Sequence, residues 1–120
     1  MATYKVTSEF GAIEPVRNGA HTGIDLAMEI GTPLRSVIDG WITKVWSGDG
    51  TLGKGVTIKG VDGREYIYGH MDNVALKAGD AVRHGSFIGE SGNTGNSTGA
   101  HLHFAIKKNG EYVDPSEYKT

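Results

Sequence analysis

Nineteen glycines in 120 residues constrain this chain more than any other feature. Glycine is used at about twice its usual ~7%. Only three prolines accompany it, and no tract is of low complexity. Glycine therefore reads as many tight turns joining short strands, not as linker and not as long helix. The alternating runs between those turns agree. Trp41 to Trp46 alternates, with Trp41, Thr43 and Val45 expected on one face and Ile42, Lys44 and Trp46 on the other. Val56-Thr57-Ile58 alternates too, and Asp62-Gly63 then separates it from Glu65-Tyr66-Ile67-Tyr68-Gly69-His70. Asp-Gly between extended runs predicts a hairpin. A strict period of two would put Tyr66, Tyr68 and His70 on one face. His101 to Lys107 gives Leu102, Phe104 and Ile106 as an apolar face, and Asn109-Gly110 comes next as a second turn. Gly79 to Gly89 reads as a turn between two short strands. Asp72 to Lys77 is too short to predict a helix. The expectation is one domain over residues 1–120: all-β, compact and antiparallel, sandwich- or barrel-like.

Composition removes several classes of function. There is no cysteine, which excludes disulfides, thiolate metal sites and a cysteine nucleophile. Twelve Lys+Arg against fourteen Asp+Glu leave a formal charge of −2. That gives no broad cationic field for nucleic acid or for an anionic membrane. No apolar run approaches the ~20 residues of a membrane helix. The opening Met1-Ala2-Thr3-Tyr4-Lys5 has no apolar stretch of the kind a signal peptide carries.

The chemistry is concentrated in histidine. His84 sits among polar residues in a predicted turn and reads as an ordinary surface residue. His101 and His103 are different. Two residues apart on a strand, their side chains leave the same face, with Cα atoms ~6.5–7 Å apart. Leu102, Phe104 and Ile106 already serve the core, so the histidine face is free for other work. His21 and Asp25 are four residues apart around Gly23, in a segment poor for helix. On a straight strand their Cα atoms would be ~13 Å apart, and a bend at Gly23 would bring them together. Two histidines and a carboxylate form a ligand set found at catalytic zinc sites, where an open position holds water with a pKa of about 7. His21, Asp25, His70, His101 and His103 offer five such groups. Three suffice for the metal, and two histidines remain for proton transfer and charge stabilisation. Spacing does not decide which member of the close pair binds the metal. The loop Ser91 to Gly99 lacks the Gly-Lys-Ser/Thr ending of a phosphate loop. It reads as a turn that aims His101 and His103 and lines a groove.

Taken together, these segments resemble the lysostaphin-type, or LytM-like, zinc endopeptidases of peptidoglycan. The family's His-x-x-x-Asp motif corresponds to His21 through Asp25, its Tyr-x-His segment to Tyr68-Gly69-His70, and its His-x-His motif to His101-Leu102-His103. Gly79 to Gly89 and Gly92 to Gly99 match in order and spacing, and the likeness runs from about Phe10 to Pro115. The resemblance implies an antiparallel β core with a groove between long loops. It implies His21, Asp25 and His103 as ligands to one zinc ion, with His70 and His101 as the catalytic pair. His101 would be the base toward metal-bound water, and His70 would orient water or stabilise the oxyanion. The implied substrates are peptide cross-links of bacterial cell walls, either glycine bridges or stem-peptide bonds of diaminopimelate. The implied place of action is the cell wall, reached by secretion or carried by a phage lysin or virion. A monomer is expected, and no substrate-binding residue is assigned.

The match is incomplete in three places. Phe10-Gly11-Ala12-Ile13 lacks the arginine of Phe-Gly-x-Arg, Lys54-Gly55 stands where Gly-Asn is common, and Met71 replaces a common Leu. The first two bear on the groove and hence on the bond cut. The family's inhibitory prosegments and wall-binding modules have no counterpart here. That is expected of an excised domain or a phage lysin. Two rival classes remain: a metal-free LytM-like module that activates another hydrolase, and a phosphocarrier or biotinyl/lipoyl-like β domain. The first would lack metal ligands that are present here. Of the second, a biotinyl or lipoyl domain would need a lysine at a hairpin tip in a context that Lys59 and Lys108 do not have, and a phosphocarrier could use paired histidines but would not require Asp25.

Overall fold

Strand breaks fall where the turn chemistry demands them. In a computed structural model, residues 6–8, 24–47, 53–92 and 101–113 are described. They form ten strands: β1 Val6–Ser8, β2 Ile24–Ala27, β3 Pro33–Arg35, β4 Gly40–Ser47, β5 Lys54–Gly60, β6 Glu65–Val74, β7 Ala81–Val82, β8 Phe87–Ser91, β9 His101–Lys108 and β10 Glu111–Val113. No helix occurs among the described residues, and the all-β expectation holds. The Asp62-Gly63 hairpin joins β5 to β6, with Lys59 opposite Glu65. Asn109-Gly110 joins β9 to β10, with Lys108 opposite Glu111. Both turn residues there have positive φ, 54° and 82°, the conformation a two-residue type I′ loop requires.

The sheet is antiparallel throughout its described pairs, in the order β1-β2-β9-β6-β5-β4-β7. β10 extends it beside β9, and β8 branches from β6 to carry β3. The branch supplies Leu34 and Ile88 to the same core as Val56, Ile58, Tyr66, Tyr68, Leu102, Phe104 and Ile106. Full burial of each such side chain contributes ~1.5–3 kcal/mol. Tyr68 and Phe104 meet with ring centroids 5.2 Å apart. Tyr68 also ties the sheet to the segment after β3. Its hydroxyl accepts from the Val37 N–H at 3.1 Å and donates to the Arg35 carbonyl at 3.3 Å.

Two bulges correct the alternation read from sequence. In β4, Ile42 pairs with Ile58 but Lys44 pairs with Thr57, so Thr43 is an extra residue. Ile42 stays in the core, while Lys44 and Trp46 come to lie opposite Thr57 and Gly55, on the other face. In β6, Val56 pairs with Tyr68 but Lys54 pairs with Met71, so β6 carries an extra residue beside Gly55. An added residue shifts a period of two by one and turns the next side chains over. β6 also runs on in extended form to Val74, through the start of the Asp72–Lys77 segment.

Candidate catalytic site

The second bulge decides where His70 goes. Tyr66 and Tyr68 are core residues, and a regular strand would have put His70 beside them. Instead His70 has φ of 59°, in the left-handed region that a residue with a Cβ adopts only when its surroundings impose it. Its ring meets that of His103 edge-on, with centroids 5.9 Å apart and planes at 75°. His103 alternates with Leu102 and Phe104 and so leaves β9 on the face opposite the core. The expectation that Tyr66, Tyr68 and His70 share a face is therefore corrected. His70 joins the histidine face because the strand is bulged and left-handed at that point.

Strand register brings the remaining groups to the same line. His103 is the Cα partner of Gly69 on one side and of Asp25 on the other. His101 is the Cα partner of Ala27 in the same strand pair. Three segments far apart in sequence thus converge because β9 lies between β2 and β6. His70 and His103 are each 4% exposed. Burying an imidazole is tolerated when its nitrogens are occupied.

Two imidazoles withdrawn from water, with a carboxylate-bearing residue opposite one of them in register, have the donor chemistry of a His/His/Asp zinc site. Among the described residues alone, no three metal-binding side chains close a site. His21, the side chains of Asp25 and His101, and most of the Ser91–Gly99 loop lie outside the described residues. His84 is exposed at the surface, and its backbone N–H donates to the Asp39 carboxylate at 2.7 Å. Sequence reasoning missed the two glycines beside the histidines. A Cβ on Gly55 would overlap the Tyr68 carbonyl oxygen, and Gly69 lies directly opposite His103. Gly55 offered a signal, because a glycine inside a strand marks a bulge or a close backbone approach.

Known proteins share this fold. A family model described as Peptidase family M23 matches residues 19–115. The DD-carboxypeptidase/endopeptidase Mpg of Neisseria meningitidis is 40% identical over 115 residues, which is 92% of this chain and 26% of that protein. The catalytic domain of the antimicrobial peptidase lysostaphin from Staphylococcus simulans superposes with a TM-score of 0.86 at 34% identity, over 97% of this chain and 92% of that one. A zinc-containing peptidase from Vibrio cholerae superposes with a TM-score of 0.85 at 33% identity, over 92% of this chain and 35% of that one. The chain spans between 21% and 32% of the length of the first curated relatives it matches.

Proposed function

Because the chain belongs to peptidase family M23, we propose that it is a zinc-dependent endopeptidase that hydrolyses peptide cross-links of bacterial peptidoglycan. One observation carries the reading: the buried edge-to-face pair of His70 and His103, in register with Asp25. Two named relatives support it. One is an endopeptidase, and the other is a peptidase that contains zinc.

His21, Asp25 and His103 would hold the metal. Zinc, when bound, supplies Lewis acidity and brings the pKa of water at its open position to about 7. His103 would hold the metal through a neutral imidazole, the form in which histidine ligates zinc. His101 takes the proton of the attacking water as its oxygen adds to the scissile carbonyl carbon. The C–N bond then breaks, and the proton passes to the leaving amine. His70 donates to the carbonyl oxygen as negative charge develops there. The bulge holds its ring in place before substrate arrives, so little reorganisation is needed.

The test is digestion of purified walls of glycine-bridge and diaminopimelate types, with the new ends identified by mass spectrometry. New amino termini within cross-links, abolished by chelation and restored by zinc, are expected. Zinc titration of two variants assigns the pair. His103→Ala should lose zinc, and His101→Ala should keep it within a few-fold while turnover falls by roughly 10²–10⁴. Full activity in excess chelator would overturn the reading.

A further inference from the structure

The line of residues through the site does not stop at His70. It continues across β5 to β4. Gly55 lies beside the extra residue of β6, and its Cα partner on β4 is Trp46. A Cβ on Gly55 would come within 3.1 Å of Trp46 Cε3, so the indole packs close beside Gly55. By its pairing with Gly55, Trp46 lies on the face opposite the one through which the neighbouring Val56 and Ile58 enter the core. His103 leaves the sheet on the same side. One row across the sheet therefore runs Trp46, Gly55, Gly69 with His70, His103 and Asp25, over β4, β5, β6, β9 and β2.

The composition of this row is unequal. Its middle has no side chain at Gly55 and Gly69, so none from these two positions stands between Trp46 and the histidines. Its far end is a half-buried indole, with the Lys44 ammonium 5.9 Å from the ring centroid. Strands lie ~4.8 Å apart, so β4 is ~10 Å from β6, about three residues of extended peptide. An aromatic ring at that distance presents a flat apolar wall to a segment flanking the bond cut at His70. Rigid aromatic side chains of this kind contribute strongly to binding at low conformational cost.

We propose that Trp46 is a specificity-determining residue of the proposed endopeptidase, contacting the substrate peptide about three residues from the scissile bond. The inference rests on the proposed site. It predicts that Trp46 reads substrate length on one side of the cut. The probes are a hexaglycine peptide and a cross-linked stem-peptide dimer containing diaminopimelate, whichever is cleaved. Each is compared with a version truncated to one residue on the flank under test, each flank in turn. Trp46→Ala should raise KM about tenfold for the long substrate, leave kcat within about twofold, and change nothing for the version truncated on the Trp46 side. Trp46→Phe should restore most of the affinity.

Fluorescence supplies a second readout. The chain has two tryptophans, so Trp41→Phe leaves Trp46 as the sole indole. In that background, with His70→Ala to prevent cleavage, the long peptide should shift the Trp46 emission and the truncated one should not. Unchanged KM in Trp46→Ala together with silent fluorescence would overturn the inference. An equal loss on long and truncated substrates would overturn it too, since it would mark a merely structural role. If the parent enzyme cleaves neither long probe nor whole walls, the proposed function fails as well, and the two failures are thereby separate.

Discussion

A histidine at φ 59° is held there against its own preference. The left-handed region costs a residue with a Cβ ~1–2 kcal/mol, and glycine almost nothing. His70 therefore stores strain that the surrounding strands sustain. This gives a test that needs no activity. His70→Ala keeps the Cβ and its strain, whereas His70→Gly relieves it. His70→Gly should be the more stable of the two by about 1 kcal/mol in urea denaturation, although glycine normally weakens a strand. The reverse order would mean that the backbone at residue 70 is an ordinary strand. The same residue shows how far the sequence could be read. The family resemblance implied that His70 and His103 serve one site, and the two rings do meet. The direction in which His70 turned was hidden, because a period of two has no symbol for a left-handed residue. The apolar face of Leu102, Phe104 and Ile106 was legible since nothing interrupts alternation in β9.

At the scale of elements, the bulges in β4 and β6 set the geometry of the proposed site. Each adds one residue and reverses the facing of the residues after it, so Trp46 and His70 both reach the face that a regular strand would have denied them. The hairpins were readable because Asp-Gly and Asn-Gly have a local mechanism. The bulges were not, because they arise from pairing between strands distant in sequence. Gly55 is the local trace of one of them. Its hydrogens pass the Tyr68 carbonyl where a methyl group cannot. Gly55→Ala should push β5 and β6 apart at the bulge and cost about 1–3 kcal/mol, the usual range for overpacking. Turnover per folded molecule should fall as well, since His70 moves with the strand. Thermal denaturation and active-site titration measure the two effects separately. Stability lost with turnover per folded molecule intact would uncouple the bulge from catalysis.

For the whole molecule, the proposed ligands come from β2, from β9 and from the segment before β2, so metal and fold are coupled. A ligand that binds only the folded state stabilises it by about 4.1 kcal/mol at a thousandfold excess over its dissociation constant. Zinc should raise Tm in a concentration-dependent way, and Asp25→Ala should abolish most of that rise. A Tm that ignores zinc in the parent protein would argue against ligands drawn from the fold. The sheet order was not legible in the sequence. The resemblance implied the members of the proposed site, but only pairing shows that β9 enters between β2 and β6.

That insertion has a consequence for how the protein is made. β9 begins at His101, late in the chain, yet it occupies an interior position in the sheet. Until it emerges from the ribosome, β2 and β6 each present an unpaired edge, and such edges invite association with other chains. Closing them requires contacts over long sequence separations, which form slowly. A nascent or truncated chain lacking β9 is thus both adhesive and without His101 and His103. The strand that closes the sheet also carries two of the histidines of the proposed site, so a half-made chain has neither the finished sheet nor the residues that would complete that site.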